Sequence, residues 1–496
     1  MEVQFVKSAS GNINALYNGK PLHSNYNPAK EAERFVASIP VTFYPKYILI
    51  TEPCLSYTAQ YFKQMYNGAV VCAIRYTNAF KETDKYWDKV FYLNESQNLA
   101  EELYNYFGEE GIVSCLFVSW KPSQVAFETE YLNCWKHIKN CVIKSRNVLA
   151  TRSFFASRWI KNTIRFCLLS RKFAKVMPGE KPILMCASGP SLENSIPFIK
   201  KFRNYFNIIC VSSAIEVLLY NQIIPDLCIS TDGGYYAKKH FCGLLKNYPH
   251  IPVALSHEGA APGFVFNNPI IPLDYKDGPG SKIIESIEHK TTTALRNGTV
   301  SGTAVNLALN LTRENIFCIG LDLAPSMGFS HTQPNILNNT DSTKENRFYT
   351  CETRITPRTF ESPALKIYEN WFASTNFHSR VFRLSNNYKF SNNLNQVQDL
   401  NWQQIESYLK QNNFDKKKNL EIINLNNEIY DKNRRLSVIK QIFNQNIYTK
   451  EMFNAIAPAE FVIYERSKGM ANEKEAYKQV LSKISAFYEE IVEEYF

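Results

Sequence analysis

Four short apolar runs each stop at a cluster of small polar residues, and those clusters are where chemistry can sit. Ile183 to Cys186 runs into Ala187-Ser188-Gly189-Pro190-Ser191, and Ile208 to Val211 ends in Ser212-Ser213. Leu227 to Ser230 ends in Thr231-Asp232-Gly233-Gly234, and Ile316 to Gly320 ends in Leu321-Asp322-Leu323. A further Gly298-Thr299-Val300-Ser301-Gly302-Thr303 precedes a helical pattern from Ala304 to Leu311. Where a strand meets a helix N-terminus, unpaired N–H groups and the helix dipole both favour an anion. Ser188, Gly189, Pro190 and Ser191 therefore suit a phosphate. Gly189 lets a ligand approach the backbone, and Pro190 fixes the turn. Ser212, Ser213, Thr231, Asp232 and Gly233 can hold a ribose or base. Thr299, Ser301, Gly302 and Thr303 open a second anion-friendly helix. A Gly-Pro-Ser turn alone is as readily a plain structural turn.

The titratable candidates are few. Asp232 and Asp322 have two functional readings: ribose or acceptor hydroxyl contacts, or Mg2+ ligation with several waters retained. Capping of the following helix is the structural alternative for Asp322. His331, in Gly328-Phe329-Ser330-His331-Thr332, can take a hydroxyl proton as general base near neutral pH. His257, in Leu255-Ser256-His257-Glu258, is a less specific candidate at another strand end. His240, His250, His289 and His378 have no comparable context.

These residues need a scaffold that gathers strand ends. The apolar runs are too short for helices and too continuous for half-exposed strands. Ser191 is a plausible N-cap for the helix after the first run. Strands alternating with helices predict a doubly wound parallel sheet, whose carboxyl edge binds ligands. Residues 1 to 145 carry their own strand signals at Tyr47–Ile50, Ala69–Ile74, Val90–Leu93 and Ile112–Val118, which predict a smaller α/β domain. Residues 146 to 390 form the central domain, entered through a basic helix that holds Arg152, Arg158, Lys161, Arg165, Arg171, Lys172 and Lys175. Most of those charges read as a solvated face, the alternative being a basic lip for an anionic ligand. After an Asn-rich linker, residues 391 to 496 read as a helical C-terminal domain, with Ile422, Leu425, Ile429, Leu436, Ile439 and Phe443 at helical spacing.

Composition bounds the reading further. The chain has 496 residues, 45% hydrophobic, which supplies several cores and excludes global disorder. No apolar stretch is long enough to span a bilayer, and Met1-Glu2-Val3-Gln4 lacks a signal peptide's features, so a cytoplasmic protein is expected. Twelve scattered cysteines without a Cys-x-x-Cys pair read as small apolar core residues in a reducing compartment. The net charge of +10 comes without a nucleic-acid-binding motif, so nucleic acid is not an expected partner.

In this order, Gly-Pro-Ser-Leu, Pro-Asp with a downstream Thr-Asp, Ser-Gly-Thr-Ala, Gly-Leu-Asp-Leu-Ala and Ser-His resemble the motility-associated factor (Maf) family. Leu22-His23-Ser24-Asn25-Tyr26-Asn27-Pro28 adds a match to that family's N-terminal domain. The matches span residues 16 to 390. One departure is Thr51-Glu52-Pro53-Cys54 where a Gly-rich turn is usual, which argues against a nucleotide in the N-terminal domain. The other is Ala187-Ser188 where glycines are common. The resemblance implies a Rossmann-like, GT-A-like central domain similar to the archaeal 6-hydroxymethyl-dihydropterin pyrophosphokinase and to CMP-sialic-acid-dependent sialyltransferases. It implies transfer of a nonulosonic acid, of the sialic, pseudaminic or legionaminic type, from a CMP-activated donor to Ser or Thr of flagellin. His331 or Asp232 would be the base. The rival readings are an ATP- and Mg2+-dependent pyrophosphokinase and a non-catalytic flagellin-binding factor.

Overall fold

A computed structural model describes residues 3–96, 98–241, 243–287, 290–323, 331–336, 343, 345–350, 363–384, 390, 392–425 and 431–496. The chain packs as two compact units. The first comprises Met1–Ala156 and Ile447–Glu490, the second Ser157–Asn446 and Ile491–Phe496. This division differs from the three domains drawn from the sequence. Residues 391 to 496 are largely helical, but the two units share them, so they form no third body.

The first unit holds a hairpin of β1 (Val3–Lys7) and β2 (Ile13–Tyr17) with a short β3 (Lys20–Pro21). Its main sheet contains β4 (Tyr47–Thr51), β5 (Val70–Arg75), β6 (Lys89–Tyr92) and β7 (Cys115–Ser119). All pairs are parallel, in the order β6-β5-β4-β7. Ile112, expected at the start of the last strand, ends the preceding helix Leu99–Val113 instead. The basic helix is the end of a 42-residue helix, Glu128–Leu169, which holds Arg152, Arg158, Lys161 and Arg165; Arg171 and Lys172 follow it and Lys175 lies in a strand, not in the helix as expected.

The second unit is built on one nine-stranded sheet. Its strands are β9 (Ile183–Cys186), β10 (Asn207–Val211), β11 (Leu227–Ser230), β12 (Val253–Ser256), β13 (Ile270–Asp274), β14 (Thr292–Thr293), β15 (Ile316–Ile319), β16 (Val381–Leu384) and β17 (Gln398–Leu400). The order is β14-β13-β12-β11-β10-β9-β15-β16-β17, and every neighbouring pair is parallel. Parallel sheets are covered on both faces, which explains the unbroken apolar runs. Every residue of β9 to β13 and of β15 is buried. Cys186, Cys210, Cys228 and Cys318 are buried free thiols in these strands, as expected.

The chain runs outward from β9 to β14, then crosses back to place β15 on the other flank of β9. Strand order therefore reverses between β9 and β15, where ligands of open α/β sheets bind. Outside the sheet, β18 (Glu421–Asn424) pairs antiparallel with β8 (Ala174–Met177). Ile422, expected in a helix, is thus a strand residue, Leu425 follows the strand and donates to Phe173 O at 2.9 Å, and Ile429 lies outside the described residues. Leu436, Ile439 and Phe443 do share one helix, Lys432–Asn446.

Candidate active site

The switch point closes tightly. Ala187 N donates to Ile319 O and Gly189 N to Gly320 O, both at 2.8 Å. A Cβ on Gly189 would lie 2.6 Å from Gly320 O, and one on Gly320 would lie 2.3 Å from Ala187 O. Gly320 also has φ of +72°, a left-handed conformation that favours glycine. Gly189 is therefore needed for the approach of a neighbouring strand end rather than of a ligand.

Asp322 follows directly and is buried. It accepts from Ser191 N at 2.9 Å and forms a short hydrogen bond with the Ser191 hydroxyl. Ser191 is the first residue of the helix Ser191–Phe202, and Pro190 at the N-cap offers no side-chain acceptor. The carboxylate thus caps a helix that starts 131 positions earlier in the chain. It also places negative charge at the positive end of the helix dipole. Both oxygens are engaged in this way, which leaves Asp322 poorly suited to bind Mg2+ or to accept a proton. Among the described residues no three His, Cys, Asp or Glu side chains group as a metal site.

The accessible polar surface lies beside this cap. Ser188 and Ser213 hydrogen-bond through their hydroxyls at 2.8 Å, and both are only partly buried. Ser212 turns inward to Ser230 at 3.2 Å. The segment 331–336 runs over these strand ends. Thr332 N donates to Ser188 O at 2.9 Å, and Ile336 N donates to Glu216 Oε2 at 2.7 Å. The approach to His331, residues 324–330, lies outside the described residues. Across the same edge the helix Val300–Leu311 begins after Thr299, whose side chain forms no cap. Ser301 stays partly exposed, Gly302 is buried, and Thr303 bonds inward to Leu295 O at 3.3 Å. The first-turn amides of this second helix face the carboxyl edge of the sheet without a side-chain cap.

His331 is brought together with a residue that sequence reasoning passed over. The rings of His331 and His240 lie 5.9 Å apart. Burial lowers the pKa of His331 below its ordinary value. His240 is lowered to about 4, first by burial and then by His331, with Asp232 opposing. Among the described residues its Nδ1 has no hydrogen-bond partner. Asp232 is exposed, and its carboxylate accepts from Gly234 N at 2.7 Å. Burial, then Asp232, also pushes up the phenol of Tyr368. Asp232, just past β11, thus acts on both His240 and Tyr368, and His331 neighbours His240. Two imidazoles held neutral at pH 7 can accept a hydroxyl proton, and an adjacent carboxylate can stabilise the resulting imidazolium. His240 lies eight positions after Asp232 in Lys238-Lys239-His240, and that proximity was the only signal for it.

His257 belongs elsewhere. It is buried, with Nδ1 2.9 Å from the Thr163 hydroxyl and Nε2 3.4 Å from Asp274 Oδ1. A Cβ on Gly280 would fall 2.6 Å from its ring. It is a packed structural group, walled off from any ligand.

Part of the basic helix does reach this edge. The Asn162 side chain donates to Glu258 O at 2.8 Å and Gly233 O at 3.2 Å, tying the helix to the Asp232–Gly234 turn. Lys238 has a lowered pKa, through burial and then Arg165 and Arg158, so three cations gather there. Such a group raises the local concentration of anions. Lys161, by contrast, pairs with Glu494 at 2.8 Å.

Comparisons with known proteins fit this geometry. Residues 157–328 match the family model described as 6-hydroxymethylpterin diphosphokinase MptE-like. Over 98% of its length the chain superposes on 90% of the Maf glycosyltransferase from Magnetospirillum magneticum AMB-1, with a TM-score of 0.52 and 10% identity. The fold is thus like that of a Maf glycosyltransferase, and residues 157–328 are MptE-like. At that identity the likeness is one of fold. An uncharacterised protein of Treponema pallidum (strain Nichols) is 30% identical over 281 residues, 56% of this chain. The chain spans 61% of that relative's length. No described helix is long and apolar enough to cross a membrane.

Proposed function

We propose that this protein is a glycosyltransferase that moves a nonulosonic acid from a CMP-activated donor to Ser or Thr hydroxyls of flagellin, in the service of flagellar assembly and motility. The observation that carries the reading is the site at the β9/β15 switch point. The paired Ser188 and Ser213 hydroxyls, the start of Val300–Leu311, Asp232, His240 and His331 all lie at the carboxyl edge of the sheet. The fold likeness to a Maf glycosyltransferase agrees with it. The donor phosphate sits against the hydroxyls and the first-turn amides. His331 or His240 accepts the acceptor hydroxyl proton as that oxygen attacks the anomeric carbon. The bond from that carbon to the phosphate oxygen breaks, and CMP departs with its charge held by amides and the nearby cations.

The test is calorimetric titration with CMP and ATP, each with and without Mg2+, followed by a transfer assay with CMP-nonulosonate and purified flagellin. CMP binding that survives EDTA and weakens in Ser188→Ala or Ser301→Ala is the expected result. His331→Gln should retain CMP binding while kcat falls by about a hundredfold or more. Absence of CMP binding would overturn the reading.

The MptE-like match favours a second reading, a pyrophosphokinase acting with ATP and Mg2+. Selective, Mg2+-dependent ATP binding would establish it. The engagement of Asp322 with Ser191 weighs against it, because one of the two expected metal carboxylates is already committed.

A further inference from the structure

The first unit contains a cavity of about 390 Å³ that none of the preceding chemistry uses. It lies between the β1–β2 hairpin, the chain just beyond β5 and β6, and the start of the 42-residue helix. Its walls are aromatic: Phe5, Tyr17, Tyr76 and Phe127 line it. Tyr17 and Phe127 pack tilted at 31° with centroids 4.2 Å apart, and Tyr76 stands at 75° to Phe127 with centroids 6.3 Å apart. Tyr76 and Phe127 are buried and form the floor, whereas Phe5 is 54% exposed at the rim.

Beside the Tyr17, Tyr76 and Thr77 hydroxyls, which can accept as well as donate, two polar groups of the cavity supply acceptors. Glu130 lines it, partly buried, and has no ion pair or hydrogen bond among the described residues. Asn94 donates one amide N–H to Tyr76 O at 2.6 Å, and its side-chain oxygen is a spare acceptor. An unpaired carboxylate and a spare amide oxygen set among aromatic rings offer acceptors and negative ring faces. That combination recognises a cation with an apolar stem. An anion would meet like charge at Glu130, and a neutral apolar ligand would leave the carboxylate desolvated without a partner. The cavity is of a size to take a small ligand or a single side chain.

We infer that this cavity binds a protonated alkylammonium group. The group comes either from a lysine side chain of a polypeptide or from a free polyamine. The site belongs to the first unit alone and does not depend on the transferase reading.

The test uses the full chain and ligand-observed NMR titration with n-butylammonium and its neutral counterpart n-butanol. Butylammonium should bind saturably and butanol at least about tenfold more weakly. Glu130→Gln should weaken butylammonium by about tenfold with an unchanged melting temperature, since the residue lies on an accessible helix face. Phe5→Ala, at an exposed rim position, should weaken it less. Titrations with Nα-acetyl-lysine methylamide and 1,5-diaminopentane separate the two sources. Tighter binding of the first marks a lysine side chain, and of the second a free polyamine. Equal binding of butanol and butylammonium, undiminished affinity in Glu130→Gln, or no saturable binding would each overturn the inference.

Discussion

Both units carry a parallel sheet whose strand order reverses, at β4/β7 in the first and β9/β15 in the second, yet only the second leaves that crevice to small hydroxyls. In the first unit the turn after β4 puts Glu52, Cys54 and Ser56 at φ of +36°, +52° and +63°. This is the left-handed region that a Gly-rich turn would occupy without cost. Glu52 uses the geometry to accept from Tyr76 N at 2.6 Å and from Arg75 Nη1 at 3.1 Å. Arg75, itself fully buried, also bonds Asp84, Ser56 and Thr83. His23 accepts from Leu55 N at 3.1 Å and packs beside Trp120, 5.3 Å between rings. Trp120 in turn donates to Leu22 O at 2.8 Å. The Leu22–Pro28 motif is thus a plug. The same topology becomes a closed, ionic core in one unit and a hydroxyl-lined edge in the other, according to the residues that follow the strands.

The largest expected effect comes from opening the plug. Arg75→Met leaves Glu52 buried without its counter-charge and should cost about 3–5 kcal/mol, read by urea unfolding. CMP affinity of the folded protein should be unchanged if the β9/β15 edge alone binds it. The next largest tests the cap in the second unit. Asp322→Asn keeps the shape and removes the charge, and should lower stability by about 1–2 kcal/mol. If capping is the whole role of Asp322, the folded variant keeps its turnover; a loss of kcat far beyond the stability change would return the residue to the chemistry.

The smallest effect at neutral pH is electrostatic. His23 is held neutral by burial, with a folded pKa of about 3, and His240 has one of about 4. Both lie below the unfolded value of about 6.5, so the unfolded chain binds more protons below that pH. Their contribution is therefore complete above pH 6.5 and is lost as pH falls toward 4 and 3. The loss is at most about 1.4 kcal/mol per histidine per pH unit. A melting series from pH 7.5 to pH 4.5 should show the fall, and His23→Gln should flatten it.

The sequence made the strands legible and their partners illegible. β9, β10, β11 and β15 were readable because burial on both faces demands continuous apolar runs. The reversal between β9 and β15 was not readable as a pairing, since their register joins residues more than a hundred positions apart. The same distance hid the role of Asp322. A carboxylate after a strand looks identical whether it meets a ligand or caps a remote helix. Gly189 was picked as a place where a ligand comes close to the backbone, but what approaches it is Gly320 and Asp322. His257 shared the local pattern of a site residue, and only its packing against Gly280 and Thr163 shows that it is sealed. His240 sits in a Lys-Lys-His run that reads as a solvated turn.

The segment 331–336 is fixed by backbone hydrogens, Thr332 N to Ser188 O and Ile336 N to Glu216. The donors of this tether keep no record in side-chain identity. Replacing Thr332 or Ile336 with alanine would leave its bond intact, so a scan of residues 331–336 alone would pass over the contacts that hold the segment in place. Proline at 332, which has no amide hydrogen, would cut the first bond, whereas Glu216→Ala would remove the acceptor of the second.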